Sequence, residues 1–232
     1  MMNDTMAVWE LSYENSVTFL RDLAQNRDLT LRFQAQKQYL YADDESGRRV
    51  LEFRYPLVFP HPGERFDPEK FAGLVPDFPP AYLMLLVQAG NAALGIFEGW
   101  EVLEHKVIRK YMVRKQQGKA QIKHLKTKGK SRLGSRIRLR NSEAFLEEIN
   151  QRCEDWLMLN PVERILFSCS ENLWHLLFQA DPRPPFDRSD PRIRRIPFDV
   201  HPPNFEELMR INQKALTGYL SMDPDLDVAV PG

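Results

Sequence analysis

Cysteine is scarce: Cys153 and Cys169 are the two in 232 residues. Neither belongs to a CxxC pair or has a histidine at zinc spacing, so no disulfide framework or cysteine zinc site is expected, only two buried thiols in a reducing compartment. No apolar run approaches the roughly 20 residues that span a bilayer. The opening residues Met1-Met2-Asn3-Asp4-Thr5 hold no basic stretch leading into an apolar one, which predicts a cytoplasmic chain with no membrane partner. P-loop, HExxH and GxSxG patterns are missing, and Gly90, Gly95 and Gly99 fall at turn or strand positions rather than in a phosphate cradle. The five histidines (His61, His105, His124, His175 and His201) are scattered, so no metal cluster is expected. No internal repeat occurs.

One absence is local. Between His105 and Arg140 there is no Asp or Glu, while Lys and Arg number 14. The other 196 residues hold 18 basic against 32 acidic, so a formal net charge of zero conceals a polarised molecule. A block this basic on an otherwise acidic chain is suited to a polyanion, nucleic acid first. Its middle, Arg114 to Gln121, is polar and short of apolar anchors, which predicts an exposed loop between ordered elements.

The remaining chain supplies an ample core, with 14 Phe, 7 Tyr and 4 Trp. Val17, Leu20, Leu23 and Ala24 share a helical face within residues 14–25. Gln36 to Tyr41 and Val50 to Tyr55, around Asp43-Asp44-Glu45-Ser46-Gly47, read as a hairpin. Seven prolines from Pro56 to Pro80 mark a connector. The domain reading is therefore an N-terminal helix-plus-hairpin extension over 1–60, a Pro-rich connector over 61–80, a main domain over 81–220 and a flexible tail over 221–232.

In the main domain, Tyr82 to Val87 is a nearly continuous apolar run, the pattern of a strand buried on both faces. Turns at Gly90-Asn91 and Gly99-Trp100 lead to a second strand and to a third running from Glu101 to about Val113, an antiparallel meander whose first strand is central. Asn141 or Ser142 is the expected cap of a helix carrying Phe145, Leu146, Ile149, Cys153 and Trp156. A strand at Arg164–Ser168, a helix at Glu171–Phe178 and a short basic run at Arg192–Ile196 follow. Asn204 and Glu207 start a last helix, with Leu208, Ile211, Ala215 and Tyr219 inward. The order strand, strand, strand, basic loop, helix, strand, helix, strand, helix predicts an α/β (α+β) ribonuclease-H-like layer: a mixed sheet with helices packed on it and a long basic loop.

Such layers often carry two-metal nucleases, which need several converging carboxylates. The first strand offers Gln88 where an acid would be wanted, and Glu98, Glu101 and Glu104 read as ordinary strand residues. The basic loop has its own chemistry. Gly118 gives a flexible backbone, and Gln121 offers an amide and a backbone N–H that order water and stabilise an oxygen without titrating. Lys and Arg around them hold phosphates. A solvated basic loop with an incidental glutamine is the alternative.

Arg114 to Gln121, then Lys126-Thr127-Lys128-Gly129-Lys130-Ser131, then Gly134 to Asn141, resembles the loop-and-helix signature of VLRF-type (Vms/ANKZF-like) release factors, relatives of the central domain of eukaryotic and archaeal termination factors. Termination factors carry Gly-Gly-Gln, whereas Lys119-Ala120 here separate Gly118 from Gln121. The resemblance implies a peptidyl-tRNA hydrolase acting on the stalled large ribosomal subunit in ribosome quality control. Gly118 and Gln121 are then its catalytic residues. Arg114, Lys115, Lys119, Lys123, Lys126, Lys128, Lys130, Arg136, Arg138 and Arg140 are its contacts to rRNA and tRNA. No cofactor or metal is implied, and a monomer suits entry into a ribosomal cavity. A tRNA acceptor-end endonuclease and a non-catalytic ribosome- or RNA-binding module are the competing expectations.

Overall fold

The computed structural model describes residues 6–34, 38–62, 65–110 and 130–231, the last segment as backbone alone up to residue 140. In order, the elements are β1 (Ala7–Leu11), α1 (Tyr13–Gln25), β2 (Thr30–Gln34), β3 (Tyr39–Asp43), β4 (Arg49–Arg54) and α2 (Pro68–Leu74). Then come β5 (Tyr82–Gln88), β6 (Asn91–Glu98), β7 (Glu101–Arg109), α3 (Lys130–Leu159), β8 (Arg164–Ser168), α4 (Glu171–Leu177), β9 (Ile193–Arg195), α5 (Phe205–Ala215) and β10 (Gly218–Met222). The chain divides into two compact units: Met1–Tyr82 with Glu98–Glu101 and Arg210–Gly232, and Leu83–Phe97 with Val102–Met209.

The first unit is built on an antiparallel sheet in the order β1-β10-β4-β3-β2. Side chains alternate across it. Trp9, Leu220, Phe53, Leu40 and Phe33 form one cross-strand row, and Glu10, Tyr219, Arg54, Tyr39 and Gln34 form the row on the opposite face. The Ser12 hydroxyl caps α1 by accepting from the Asn15 N–H at 3.1 Å. The helix then buries Tyr13, Val17, Phe19, Leu20 and Leu23, with Phe19 edge-on to Phe53 at 5.1 Å. It lies so close to β10 that a Cβ on Gly218 would clash with Ser16 Oγ and come within 2.9 Å of the Phe53 ring.

The second unit is a sheet in the order β7-β6-β5-β8-β9, with β8 and β9 parallel. Two-residue connections make β5, β6 and β7 an antiparallel meander, and Gly90 and Gly99 take the positive φ (81° and 57°) that these turns demand. β5 is buried at every residue but Gln88. Phe145, Ile149 and Cys153 of α3 are buried, as is Asn150, whose amide donates to the carbonyls of Leu177 and Pro182 at 2.8 Å each. The meander with its first strand central, followed by alternating helices and strands, is the α+β layer that the sequence predicts.

Four expectations change. α3 begins at Lys130, eleven residues before Asn141; Leu and Arg are good helix formers, and their run carries the helix through the Asn141-Ser142 cap signal. α5 ends at Ala215, and Tyr219, expected on its inner face, lies on β10 paired with Glu10 and Arg54. Ser221 and Met222, expected to be frayed, belong to the same strand. The Pro-rich connector contains α2, capped by the Asp67 side chain accepting from the Lys70 N–H, and Val58, Phe59 and Phe71 of this region are buried.

Candidate nucleic-acid interface

The catalytic pair of the sequence reading, Gly118 and Gln121, lies outside the described residues, as do Arg114, Lys115, Lys119, Lys123, Lys126 and Lys128. Tyr111 and Val113, the expected end of the third strand, lie outside them too. Lys130, Arg136, Arg138 and Arg140 fall on the first three turns of α3 rather than in a loop before it. The structure therefore defines the root from which the basic stretch departs.

At that root β7 is an edge strand, exposed over most of its length, and its charged residues blunt the edge against pairing with another chain. It ends in exposed Arg109, and Lys110 follows. The Lys110 N–H donates to the Gly90 carbonyl at 2.9 Å, and its Nζ pairs with the Glu148 carboxylate of α3 at 2.8 Å. Both side chains are about a third exposed, so the pair is worth about 1 kcal/mol or less. Its use is positional: it fixes one end of the basic stretch both to the β5–β6 turn and to the helix that receives the other end.

Next to the same turn, Gln88 Nε2 donates to the carbonyls of Val200 (2.9 Å) and His201 (3.2 Å). The position where a nuclease would want an acid is thus a structural tie. Asn204 caps α5 by accepting from the Glu207 N–H at 2.7 Å. The buried Glu207 carboxylate accepts from the His201 N–H at 2.7 Å and lies 3.5 Å from His201 Nδ1. The sequence reading missed Lys110, Gln88 and His201 because their partners are distant in sequence; the Asn204/Glu207 spacing was the one visible signal.

The short basic run has one of its arginines neutralised by a neighbouring acid. Arg192 makes a two-pronged pair with Asp190, Nε to Oδ1 at 3.0 Å and Nη2 to Oδ2 at 2.7 Å. This hydrogen bonding lowers the carboxyl and raises the guanidinium pKa. Arg188 donates to His175 Nδ1 at 2.9 Å and sits over the Phe178 ring. Both cysteines are free thiols. Burial pushes Cys153 up to about 12, and half-buried Cys169 to about 11 despite the opposing Arg195 charge, so neither is a ready nucleophile. Among the described residues no group of three His, Cys, Asp or Glu is placed to hold a metal ion, and no helix is long and apolar enough to cross a membrane.

A family model described as "Bacteroidetes VLRF1 release factor" matches residues 82–222. The "tRNA endonuclease ANKZF1" of Mus musculus is 30% identical over 192 residues, covering 79% of this chain and 24% of that protein. The "tRNA endonuclease ANKZF1" of Bos taurus is 29% identical over 141 residues (60% and 19%). The "tRNA endonuclease vms-1" of Caenorhabditis elegans is 30% identical over 128 residues (54% and 20%). The chain thus spans about a quarter or less of the length of these relatives. A solved structure, the "Vms1 mitochondrial localization core", aligns with 85% of this chain and 92% of its own at a TM-score of 0.49 and 16% identity. The family match covers more than half of the sequence and spans the basic stretch, its root on β7 and the helix that follows: this chain belongs to the VLRF1 release factor family.

Proposed function

We propose that the chain frees nascent peptides in ribosome quality control by hydrolysing the peptidyl-tRNA ester on stalled large ribosomal subunits. The observation that carries this reading is the release-factor match spanning a basic Gly118-Lys119-Ala120-Gln121 stretch, whose start at Lys110 is tied to α3. Arg114, Lys115, Lys119, Lys123, Lys126, Lys128 and Lys130, with Arg136, Arg138 and Arg140 on α3, bind rRNA and tRNA phosphates. Gly118 lets the backbone turn at the reaction centre. Gln121 cannot take a proton, so its amide orders the attacking water and its backbone N–H faces the developing oxyanion. Water adds to the ester carbonyl carbon, the bond to the ribose oxygen breaks, and that oxygen leaves with a proton. The protein works as a monomer in the cytoplasm.

The names of the relatives support a second reading, cleavage of the tRNA strand near its acceptor end. One assay separates the two: purified protein with large subunits carrying peptidyl-tRNA labelled in both peptide and RNA. Free peptide with full-length tRNA is the expected product, whereas peptide on a shortened RNA fragment selects the nuclease. Binding with neither product leaves an RNA-binding module. Gln121→Ala is expected to lower release by at least about 100-fold while subunit binding stays within two-fold; wild-type release from this variant removes Gln121 from the mechanism. Charge reversal at Lys126, Lys128 and Lys130 is expected instead to weaken binding and flatten its salt dependence.

A further inference from the structure

A proton acceptor beside the ribose 2′-hydroxyl is one way to cut an RNA strand. His105 packs on the Phe205 ring at 4.3 Å, and His175 Nδ1 is taken by Arg188. His201 is held differently. Its ring is 63% exposed, while the Glu207 side chain 3.5 Å from Nδ1 is 6% exposed. That carboxylate is locked in turn: it accepts from the His201 N–H, and Glu207 begins α5 under the Asn204 cap. A buried carboxylate 3.5 Å from Nδ1 favours the tautomer with its proton there and leaves the lone pair on Nε2, the state of a general base.

Its place in the unit matters equally. The His201 carbonyl is bonded by Gln88, two residues from Gly90, and the Gly90 carbonyl is bonded by Lys110, where the basic stretch begins. His201 therefore stands at the root of the segment proposed to carry RNA.

We infer that His201, oriented by Glu207, is a proton-accepting site for an RNA phosphodiester, and so gives the chain the strand-cutting activity of the second reading above, on which this inference rests. In the step, Nε2 takes the 2′-hydroxyl proton and the 2′-oxygen bonds to phosphorus. The bond from phosphorus to the 5′-oxygen breaks, and that oxygen takes a proton from water. The products are a 2′,3′-cyclic phosphate and a 5′-hydroxyl end. Two carboxylates face the ring: Glu207 from α5, and Asp199 from its own segment, 3.9 Å from Nε2 and 93% exposed. Gln88 of β5 brings no charge.

The test uses the full chain and the doubly labelled subunits, scoring RNA ends and free peptide separately. The wild type is expected to produce cyclic-phosphate RNA ends. His201→Gln is expected to lower the rate of cutting about 100-fold, leave ester release within two-fold, and regain part of the cutting with added imidazole. Glu207→Gln, which keeps an acceptor for the His201 N–H but removes the charge beside the ring, is expected to lower the cutting rate by less than His201→Gln does and to leave ester release within two-fold. Wild-type cutting by His201→Gln overturns the assignment alone, as does an equal loss of cutting and ester release without imidazole rescue. A wild-type protein that cuts no RNA overturns the assignment and the strand-cutting reading together.

Discussion

The two five-stranded sheets solve burial in opposite ways. In the second unit β5 and β6 are apolar almost throughout, with Leu83, Met84, Leu86, Ala92, Ala93 and Leu94 all at 0% exposure. In the first unit the strands set an apolar inner row, Trp9, Leu220, Phe53, Leu40 and Phe33, against an outer row of Glu10, Tyr219, Arg54, Tyr39 and Gln34, with β3 alone buried from Leu40 to Asp43. The outer face is held by cross-strand contacts between polar and aromatic groups, such as Arg54 over Tyr39 at 4.7 Å and Arg49 over Tyr41 at 3.9 Å. Each such contact contributes a few tenths to about 1 kcal/mol, whereas a fully buried Leu contributes about 1.5–3. One sheet buries both faces of its central strands; the other sets an apolar row against one rich in polar and aromatic side chains.

The sharpest way to break that contrast is a pair of substitutions. Leu86→Ala on β5 is expected to cost about 2–5 kcal/mol, because the cavity is closed on both faces. Glu52→Ala on the outer face of the first sheet loses only a pair to Arg49 at 3.5 Å, and about 0.5 kcal/mol or less is expected. Urea midpoints compare the two, and equal losses would show that both sheets are buried alike.

A second pair probes the inner face of the first sheet. Gly218→Ala drives a methyl group against Ser16 Oγ and the Phe53 ring, and about 1–3 kcal/mol of destabilisation is expected. Ser16→Ala removes the hydroxyl that donates to the Ser12 carbonyl at 2.7 Å and is mildly destabilising alone. In the double variant part of the Gly218→Ala cost should return, because the nearest clash is gone. Simple additivity of the two losses would mean that α1 shifts freely against β10.

The same contrast governs what was legible in the sequence. In the second sheet β5 and β6 are visible as runs, because a strand buried on both faces has almost no polar residue to break the pattern, and exposed β7 is visible through the Gly99-Trp100 turn that leads into it. In the first sheet β3 and β4 are visible through the polar turn between them, but β1, β2 and β10 are not. Tyr219 also fits the helical spacing of Leu208, Ile211 and Ala215, and only pairing with Ala7–Leu11 and Arg49–Arg54, remote in sequence, makes it part of a strand. The site divides likewise. Gly118, Gln121 and the lysines around them announce themselves by composition. His201 does not, since the Gln88 and Glu207 bonds that place it join residues up to 113 positions apart.

The smallest expected effect separates the sheets by acid. The β3–β4 turn is closed by Asp44, whose carboxylate accepts from the Ser46 hydroxyl at 2.6 Å and from the Ser46 and Arg48 N–H groups. The Ser46 hydroxyl first, then the Arg48 N–H, hold its pKa down at about 2. Because the folded value lies below the unfolded one of about 3.9, the charged carboxylate stabilises the fold above pH 4, and that contribution drains away as the pH falls toward 2. β5 and β6 carry no carboxylate apart from Glu98 at the end of β6. Asp44→Asn keeps the oxygen acceptor but not the charge, so its Tm should sit slightly below wild type at pH 7. The gap should narrow from pH 4 downward and vanish near pH 2. A gap that persists at pH 2 would place the effect of the substitution in turn geometry rather than in the carboxylate charge.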